Sequence, residues 1–240
     1  MSFRLDGLLS APGHVLRMLG TGLLDLLYPP RCLGCGARPE SAQLPLCPRC
    51  LQSLERVPPM GVTARLDRLP AGHDLFRHVL ALWMFDRDGT LQAVQHAFKY
   101  ENRPRYGVAL GRLLGRAYAK EAARPDGVIP VPLHRTRELE RGYNQSAMLA
   151  EGVADALDRP LRTDLLSRPH PTRSQTNLPR EERWQNVQGA FAAGSGCRDG
   201  HWLVVDDVLT TGSTAVAAGQ TLADAGADAV SLATLALARH

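Results

Sequence analysis

The stretch Trp202-Leu203-Val204-Val205-Asp206-Asp207-Val208-Leu209-Thr210-Thr211-Gly212-Ser213-Thr214 decides how the rest of the chain is read. Its opening apolar run predicts a buried strand over 201–206. Two adjacent carboxylates stand where that strand is expected to end. A short Thr/Gly/Ser loop follows, and an Ala-rich helix is predicted over 214–225. A strand, a loop of small residues and a helix N-terminus bring backbone N–H groups together, and the helix dipole adds a potential that favours an anion. The carboxylates would repel a phosphate, so they suit sugar hydroxyls or a bridging divalent cation. A ligand with a phosphate at one end and a vicinal diol beside it is a ribose 5-phosphate. An ordinary strand–turn–helix accounts for the polar turn but leaves the paired acids unexplained.

Position by position, the segment resembles the phosphoribosyl pyrophosphate signature of the type I phosphoribosyltransferases: four apolar residues, two acids, two apolar residues, then Thr-Thr-Gly-Ser-Thr. The resemblance implies that Asp206 and Asp207 hold the ribose and act in catalysis. It implies that Thr210, Thr211, Gly212, Ser213 and Thr214 hold the 5-phosphate, and that Mg2+ accompanies the substrate pyrophosphate.

The length of 240 residues accommodates one full domain and a small appendage. A hydrophobic fraction of 44% with 22% charged residues is that of a globular, water-soluble chain. The net charge of +4 tolerates nucleic acid or phosphorylated ligands without demanding either. Lys99 and Lys120 are the only lysines; the basic residues are otherwise arginine, which genome composition explains. The longest apolar stretch, 15–28, is too short for a membrane span and carries Arg17 and Asp25. It also lacks a signal-peptide cleavage pattern. No integral membrane segment and a cytoplasmic location are therefore expected.

Residues 1–28 read as a helical arm with an interrupted apolar stripe, better suited to packing on the main domain than to a membrane surface. Residues 29–56 form the expected zinc-finger domain. Cys32 and Cys35, then Cys47 and Cys50, each show the C-x2-C spacing of a zinc knuckle, whose short turn aims two thiolates at one metal. Four thiolates make a closed tetrahedral site, hence structural Zn2+ rather than catalytic. A redox dithiol needs only one pair, and an iron–sulfur cluster usually has different spacing. Cys197 stands alone and reads as a small loop hydrophobe.

Residues 57–78 have weak periodicity and are taken as a connector. Residues 79–240 then form the main domain. A strand is expected over 79–85, a turn at Asp88-Gly89, and helices from the spacing of Leu91, Val94 and Phe98 and over 105–123. A strand over 127–133 stops at its prolines, since Pro132 has no N–H for a ladder. The Arg-rich stretch 134–142 reads as a polar loop, and its opening turn at Leu133-His134-Arg135 is the expected pyrophosphate loop; a solvated basic loop is the plain alternative. A helix follows to about Leu157, then a short strand over 160–166. The polar segment 168–190 suits a hood over the site. Strands alternating with helices predict a parallel α/β sheet with the ligand at the C-terminal strand ends.

Further stretches narrow the resemblance. They are Pro30-Arg31-Cys32-Leu33-Gly34-Cys35, Phe98-Lys99-Tyr100, Ile129-Pro130-Val131-Pro132-Leu133-His134, Arg141-Gly142-Tyr143-Asn144-Gln145, the run from Gln175 to Leu178, and the run from Arg183 to Phe191. In this order, with the phosphoribosyl signature last, the chain from about residue 25 onward resembles the ComF family of competence proteins. Its departures are Trp184 and Gln185 and a long connector. The resemblance implies a type I phosphoribosyltransferase-like domain behind a four-cysteine zinc finger. It also implies a cytoplasmic role in natural transformation, with incoming single-stranded DNA and a competence DNA helicase as partners.

Two functional readings follow. In the first, the chain transfers a phosphoribosyl group. Nearby carboxylates stabilise oxocarbenium character as pyrophosphate leaves, and Lys99, His134, Arg135, Arg137 or Arg141 neutralises the departing group. In the second, the fold senses phosphoribosyl pyrophosphate without catalysis while the finger and the Arg-rich loops bind single-stranded DNA.

Overall fold

A computed structural model of the chain describes residues 31–39, 44–69, 72, 74–86, 88–100, 103–169 and 189–239; the side chains of Lys99 and Tyr100 fall outside that set. The expected arm at 1–28 and residues 170–188 of the expected hood lie outside the described residues. In chain order the elements are α1 (Pro48–Ser53), α2 (Gly61–Leu66), β1 (Val79–Phe85), α3 (Thr90–Tyr100), α4 (Pro104–Glu121), β2 (Gly127–Pro130), α5 (Arg135–Arg141), α6 (Gln145–Leu157), β3 (Leu166–Ser167), β4 (Ala192–Ala193), β5 (His201–Leu209), α7 (Ser213–Asp224) and β6 (Ala229–Ala238).

Four of the strands form one parallel sheet in the order β1-β6-β5-β2. β3 and β4 make a small antiparallel pair beside it. Alternation along each strand sends residues to opposite faces. Leu80 and Leu82, Leu203 and Val205, and Ala233 and Leu235 face α3, α4 and α6. Ala81, Ile129, Val204 and Leu232 face α2 and α7. Both sides are covered, which is why the strands read as near-continuous apolar runs. The chain leaves β2 toward α6 on one face and leaves β5 toward α7 on the other, so a crevice opens between these two strands at their C-terminal ends.

Several sequence expectations need correction. Residues 135–141 are helical, not a loop. His134 caps that helix, its Nδ1 accepting from the Thr136 N–H at 3.3 Å, and Gly142 ends it at φ 80°. None of the helix's residues is buried, so it carries no apolar stripe to read. The stretch expected as a strand over 160–166 pairs only through a bridge from Leu161 to Val128 before β3 begins. Part of the stretch set aside as a connector is helical, in α2.

The zinc-knuckle region shares its core with the sheet. Cys32, Leu46 and Leu54 are buried with Trp83, Leu91 and Val94. Glu55 to Val57 then run antiparallel along the edge of β1, where the Met84 N–H donates to the Glu55 carbonyl at 2.8 Å and Arg56 bridges Trp83. The pairing covers part of an exposed sheet edge. Among the described residues, no helix is long and apolar enough to cross a membrane.

Helices α4 and α6 pack unusually closely. A Cβ on Gly111 would lie 2.1 Å from the Leu149 carbonyl oxygen, and one on Gly152 would lie 2.0 Å from that of Val108. Both glycines are there for close approach rather than for backbone freedom. Gly111→Ala is expected to wedge the helices apart and to lower unfolding free energy by about 1–3 kcal/mol. Arg116→Ala, on the exposed face of the same helix, should change it by less than about 0.5 kcal/mol. Urea titration of the two variants checks the contrast.

Candidate functional site

β5 is paired on both sides through Val205, which faces Ala233 of β6 and Pro130 of β2. The last rung on the β2 side is the Val131 N–H donating to the Val205 carbonyl at 2.9 Å. β2 ends where prolines remove its donors, but β6 continues to Ala238 and holds β5 in strand form through Leu209. Asp206 and Asp207 therefore lie inside β5 rather than at its end. They open toward the crevice because one neighbour has stopped.

Asp206 is half-buried. Its Oδ1 accepts from the Ser146 hydroxyl at 2.7 Å and from the Asp207 N–H at 2.9 Å. Burial and the adjacent Asp207 charge push its carboxyl up to about 7, against the downward pull of those donors and of Arg168. Asp207 accepts from the Gln95 carboxamide at 3.3 Å and from the Val208 N–H at 2.7 Å.

The loop after β5 turns at Gly212, whose φ of 90° admits a residue without a Cβ, and α7 begins at Ser213. Thr211 and Ser213 are buried and their hydroxyls lie 3.0 Å apart. The loop rests on α2 and the turn after it. A Cβ on Gly212 would meet Leu66 at 2.9 Å and Leu69 at 3.3 Å. Arg65, only 7% exposed, donates to the Thr210 carbonyl and, at 2.8 Å, to the Ala238 carbonyl.

The segment that opens α6 stitches three elements together. The Tyr143 hydroxyl donates to the Phe98 carbonyl, the Asn144 carboxamide to the Val131 carbonyl at 3.0 Å, and Arg141 to the Gln145 side chain at 3.0 Å. Ser146 then reaches Asp206. His134 and Arg135 line a cleft with Arg168. Burial lowers the Arg168 guanidinium's pKa and Arg137 adds to this, while Asp206 opposes it. Arg137 and Arg168 are thus electrostatic neighbours on the Asp206 side of the crevice. Arg141 is committed to Gln145, and Lys99 lies near the end of α3. Sequence reasoning missed Arg65, Gln95, Ser146 and Arg168 as site residues. Two of them had a local signal: Ser146 directly follows the Arg-Gly-Tyr-Asn-Gln run, and Arg168 opens the segment expected as a hood.

At the second centre, the Sγ atoms of Cys32, Cys35, Cys47 and Cys50 all lie within 4.8 Å of one another, and those of Cys35 and Cys47 are 3.8 Å apart. Four Zn–S bonds of about 2.3 Å at tetrahedral angles separate sulfurs by about 3.8 Å, so the donor set fits zinc. A Cβ on Gly34 would strike the Cys50 sulfur at 2.9 Å. Burial raises the Cys32 thiol, but the N–H groups of Cys47, Cys35 and Gly34 outweigh it and bring it to about 6. Burial and the other three cysteines push Cys50 up to about 12. Packed thiolates repel one another unless a cation sits among them. Cys197 is buried elsewhere, its thiol donating to the carbonyls of Leu165 and Gly194.

Residues 23–60 match the double zinc ribbon domain. That span holds four of the chain's five cysteines, the complement of one tetrahedral site. Fold and centres together define a zinc-ribbon protein whose parallel α/β domain carries paired acids directly before a glycine-turned loop. The chain is 30% identical to DNA utilization protein YhgH of Escherichia coli K12 over 193 residues, 77% of this chain and 81% of that one. It is 35% identical to competence protein F of Haemophilus influenzae over 126 residues, 49% and 55% of the two chains. It is 32% identical to competence protein ComFC of Bacillus subtilis over 113 residues, 47% and 44%. The chain belongs to the ComF family that these proteins represent. Among solved structures, an allosteric regulatory enzyme of purine biosynthesis aligns over 58% of this chain and 29% of its own length at TM-score 0.41 and 22% identity. The adenine phosphoribosyltransferase of Leishmania tarentolae aligns over 71% and 90% at TM-score 0.36 and 15% identity.

Two outcomes test the centres. Purified chain should carry one zinc per molecule by elemental analysis; Cys50→Ala should lose it and lower Tm by about 5 °C or more, because metal binding is folding free energy at such a site. Asp206 binds its proton more tightly folded than unfolded, so its contribution to stability is present at low pH and is lost as pH rises from the usual carboxylate range through about 7. Asp206→Asn should therefore raise Tm at pH 8 by about 2–4 °C, with the gain vanishing near pH 4. A scanning calorimetry pH series reads the crossover.

Proposed function

We propose that this chain binds phosphoribosyl pyrophosphate in the crevice between β2 and β5, and that it acts as a phosphoribosyltransferase in DNA uptake during natural transformation. One observation carries the reading: two acids on the open flank of β5 stand directly before a glycine-turned loop that opens a helix. The 5-phosphate lies on the loop of Thr210, Thr211, Gly212, Ser213 and Thr214, where N–H groups and hydroxyls are the donors. Asp206 and Asp207 take the ribose hydroxyls. Asp206 and Asp207 would also be the oxygen ligands for Mg2+, which would offset the negative charge of the pyrophosphate. Ser146 and Gln95 hold the two carboxylates in place. Arg135, Arg137 and Arg168 supply positive charge on the side where the pyrophosphate leaves, and His134 lines the same cleft. As the bond to the anomeric carbon lengthens, the acids stabilise the positive charge that develops there. The place of the reaction in DNA uptake is supported by the names of the relatives, competence protein F and DNA utilization protein.

A second reading is favoured by the arginines around the cleft of His134, Arg135 and Arg168. In it the crevice senses phosphoribosyl pyrophosphate, and the arginines with the zinc ribbon hold single-stranded DNA through its phosphates. A cytoplasmic site, beside a DNA helicase that acts on the incoming strand, suits either reading.

Calorimetry with phosphoribosyl pyrophosphate and Mg2+ should give micromolar binding that weakens at least about tenfold in Asp206→Asn or Asp207→Asn. Unchanged affinity in both variants would remove the acids from the site. Pyrophosphate release with candidate acceptors then separates transfer from sensing. Single-stranded DNA binding that persists in Asp206→Asn and falls steeply with salt supports the second reading.

A further inference from the structure

Arg65 lies outside every stretch that carries the sequence signature, in the short helix α2, yet it touches the signature loop from below. It is nearly fully buried, and it gives one guanidinium nitrogen to the Thr210 carbonyl and another to the Ala238 carbonyl at 2.8 Å. A buried cation is costly unless its protons are taken up, so this orientation is strongly held. Leu66 and Leu69 press on Gly212 from the same side.

We infer that Arg65 is the positioning residue of the phosphate cradle, fixing the Thr210–Thr211 peptide so that the Thr211 N–H faces the 5-phosphate. The inference rests on the proposed reading of the loop at 210–214 and deepens it. The chain has no cis peptide among the described residues. In a trans peptide the C=O and N–H point in opposite directions. With the Thr210 carbonyl turned to Arg65, the N–H of Thr211 is directed away from that guanidinium. The same hydrogen bond polarises the peptide. A carbonyl that accepts from a cation leaves its own N–H a better donor, and the low dielectric beneath the loop preserves the effect. The guanidinium also adds a positive charge under an anion site, screened by protein rather than by salt. Arginine suits this place better than lysine, because its planar fork reaches two carbonyls at once. Without it the peptide is free to flip and present its carbonyl to the phosphate.

Calorimetry on the full chain with Mg2+ compares two probes, phosphoribosyl pyrophosphate, which carries a 5-phosphate, and inorganic pyrophosphate, which does not. For Arg65→Met the first should bind on the order of tenfold more weakly, and the second within about twofold of wild type. Arg65→Lys should fall between Met and wild type for the first probe. Equal losses for both probes would assign Arg65 a merely structural role and overturn the inference, as would unchanged binding of phosphoribosyl pyrophosphate. Failure of the wild-type chain to bind phosphoribosyl pyrophosphate would instead overturn the proposed function and the inference with it. Wild-type protein supplies a measurement that needs no variant. On adding phosphoribosyl pyrophosphate, the Thr211 amide proton should move downfield further than the other amides of the 210–214 loop. A Thr211 resonance that stays still while those of Ser213 and Thr214 move would sink the inference.

Discussion

The site depends on an imbalance in strand pairing. β5 has a neighbour on each side up to Val205 and on one side only from Asp206 onward. The prolines after Ile129 produce that step, since a strand without N–H groups cannot extend its ladder. β6 keeps the acids in extended geometry, so their side chains alternate in direction, while the missing neighbour gives one flank to the crevice. The contacts that hold the acids then come from helices, Ser146 from α6 and Gln95 from α3. An extra rung on β2 would cover the acids, and a shorter β6 would let them wander.

The arrangement carries a built-in opposition between stability and ligand binding. Adjacent carboxylates in a half-buried place repel each other, and Asp206 responds by holding its proton to about neutral pH. A cation or a hydroxyl donor beside the pair would relieve that repulsion. Beneath it, the fold is rigid where rigidity matters. Arg65 and two leucines set the loop, and the glycine seam holds α6, which carries Ser146, close against α4.

Much of this was legible in the residues. The apolar run, the two acids and the small-residue loop announce a strand, a crevice and a helix start, and the spacing of Cys32, Cys35, Cys47 and Cys50 announces one metal centre. Both signals are local, set by neighbours a few positions apart. The helix of α5 escaped notice because all its faces meet water, and without a buried stripe periodicity has nothing to report. Arg65 escaped for a different reason. It acts on Thr210 across 145 positions of sequence, and a charged residue in a stretch of weak pattern gives no hint that it will be buried. The reach of β5 past Asp206 depends likewise on a partner strand that only the assembled sheet supplies.

The position of β6 has a consequence for how the chain is made. It is a central strand of the sheet, lying between β1 and β5, yet it is drawn from residues 229–238. Val79 of β1 pairs with Leu232, so that edge has no strand partner in the parallel sheet until about 150 further positions are in place, and loop closure on that scale is slow. A ribosome releasing this chain from its N-terminal end exposes β1 and β2 long before the strands that separate them exist. The zinc ribbon is different, because all four of its ligands lie within nineteen positions, 32–50, and can close on metal early. It would act as the first folded landmark on a nascent chain, and its shared core with Trp83 and Leu91 would shield the face of β1 that later meets the sheet's helices.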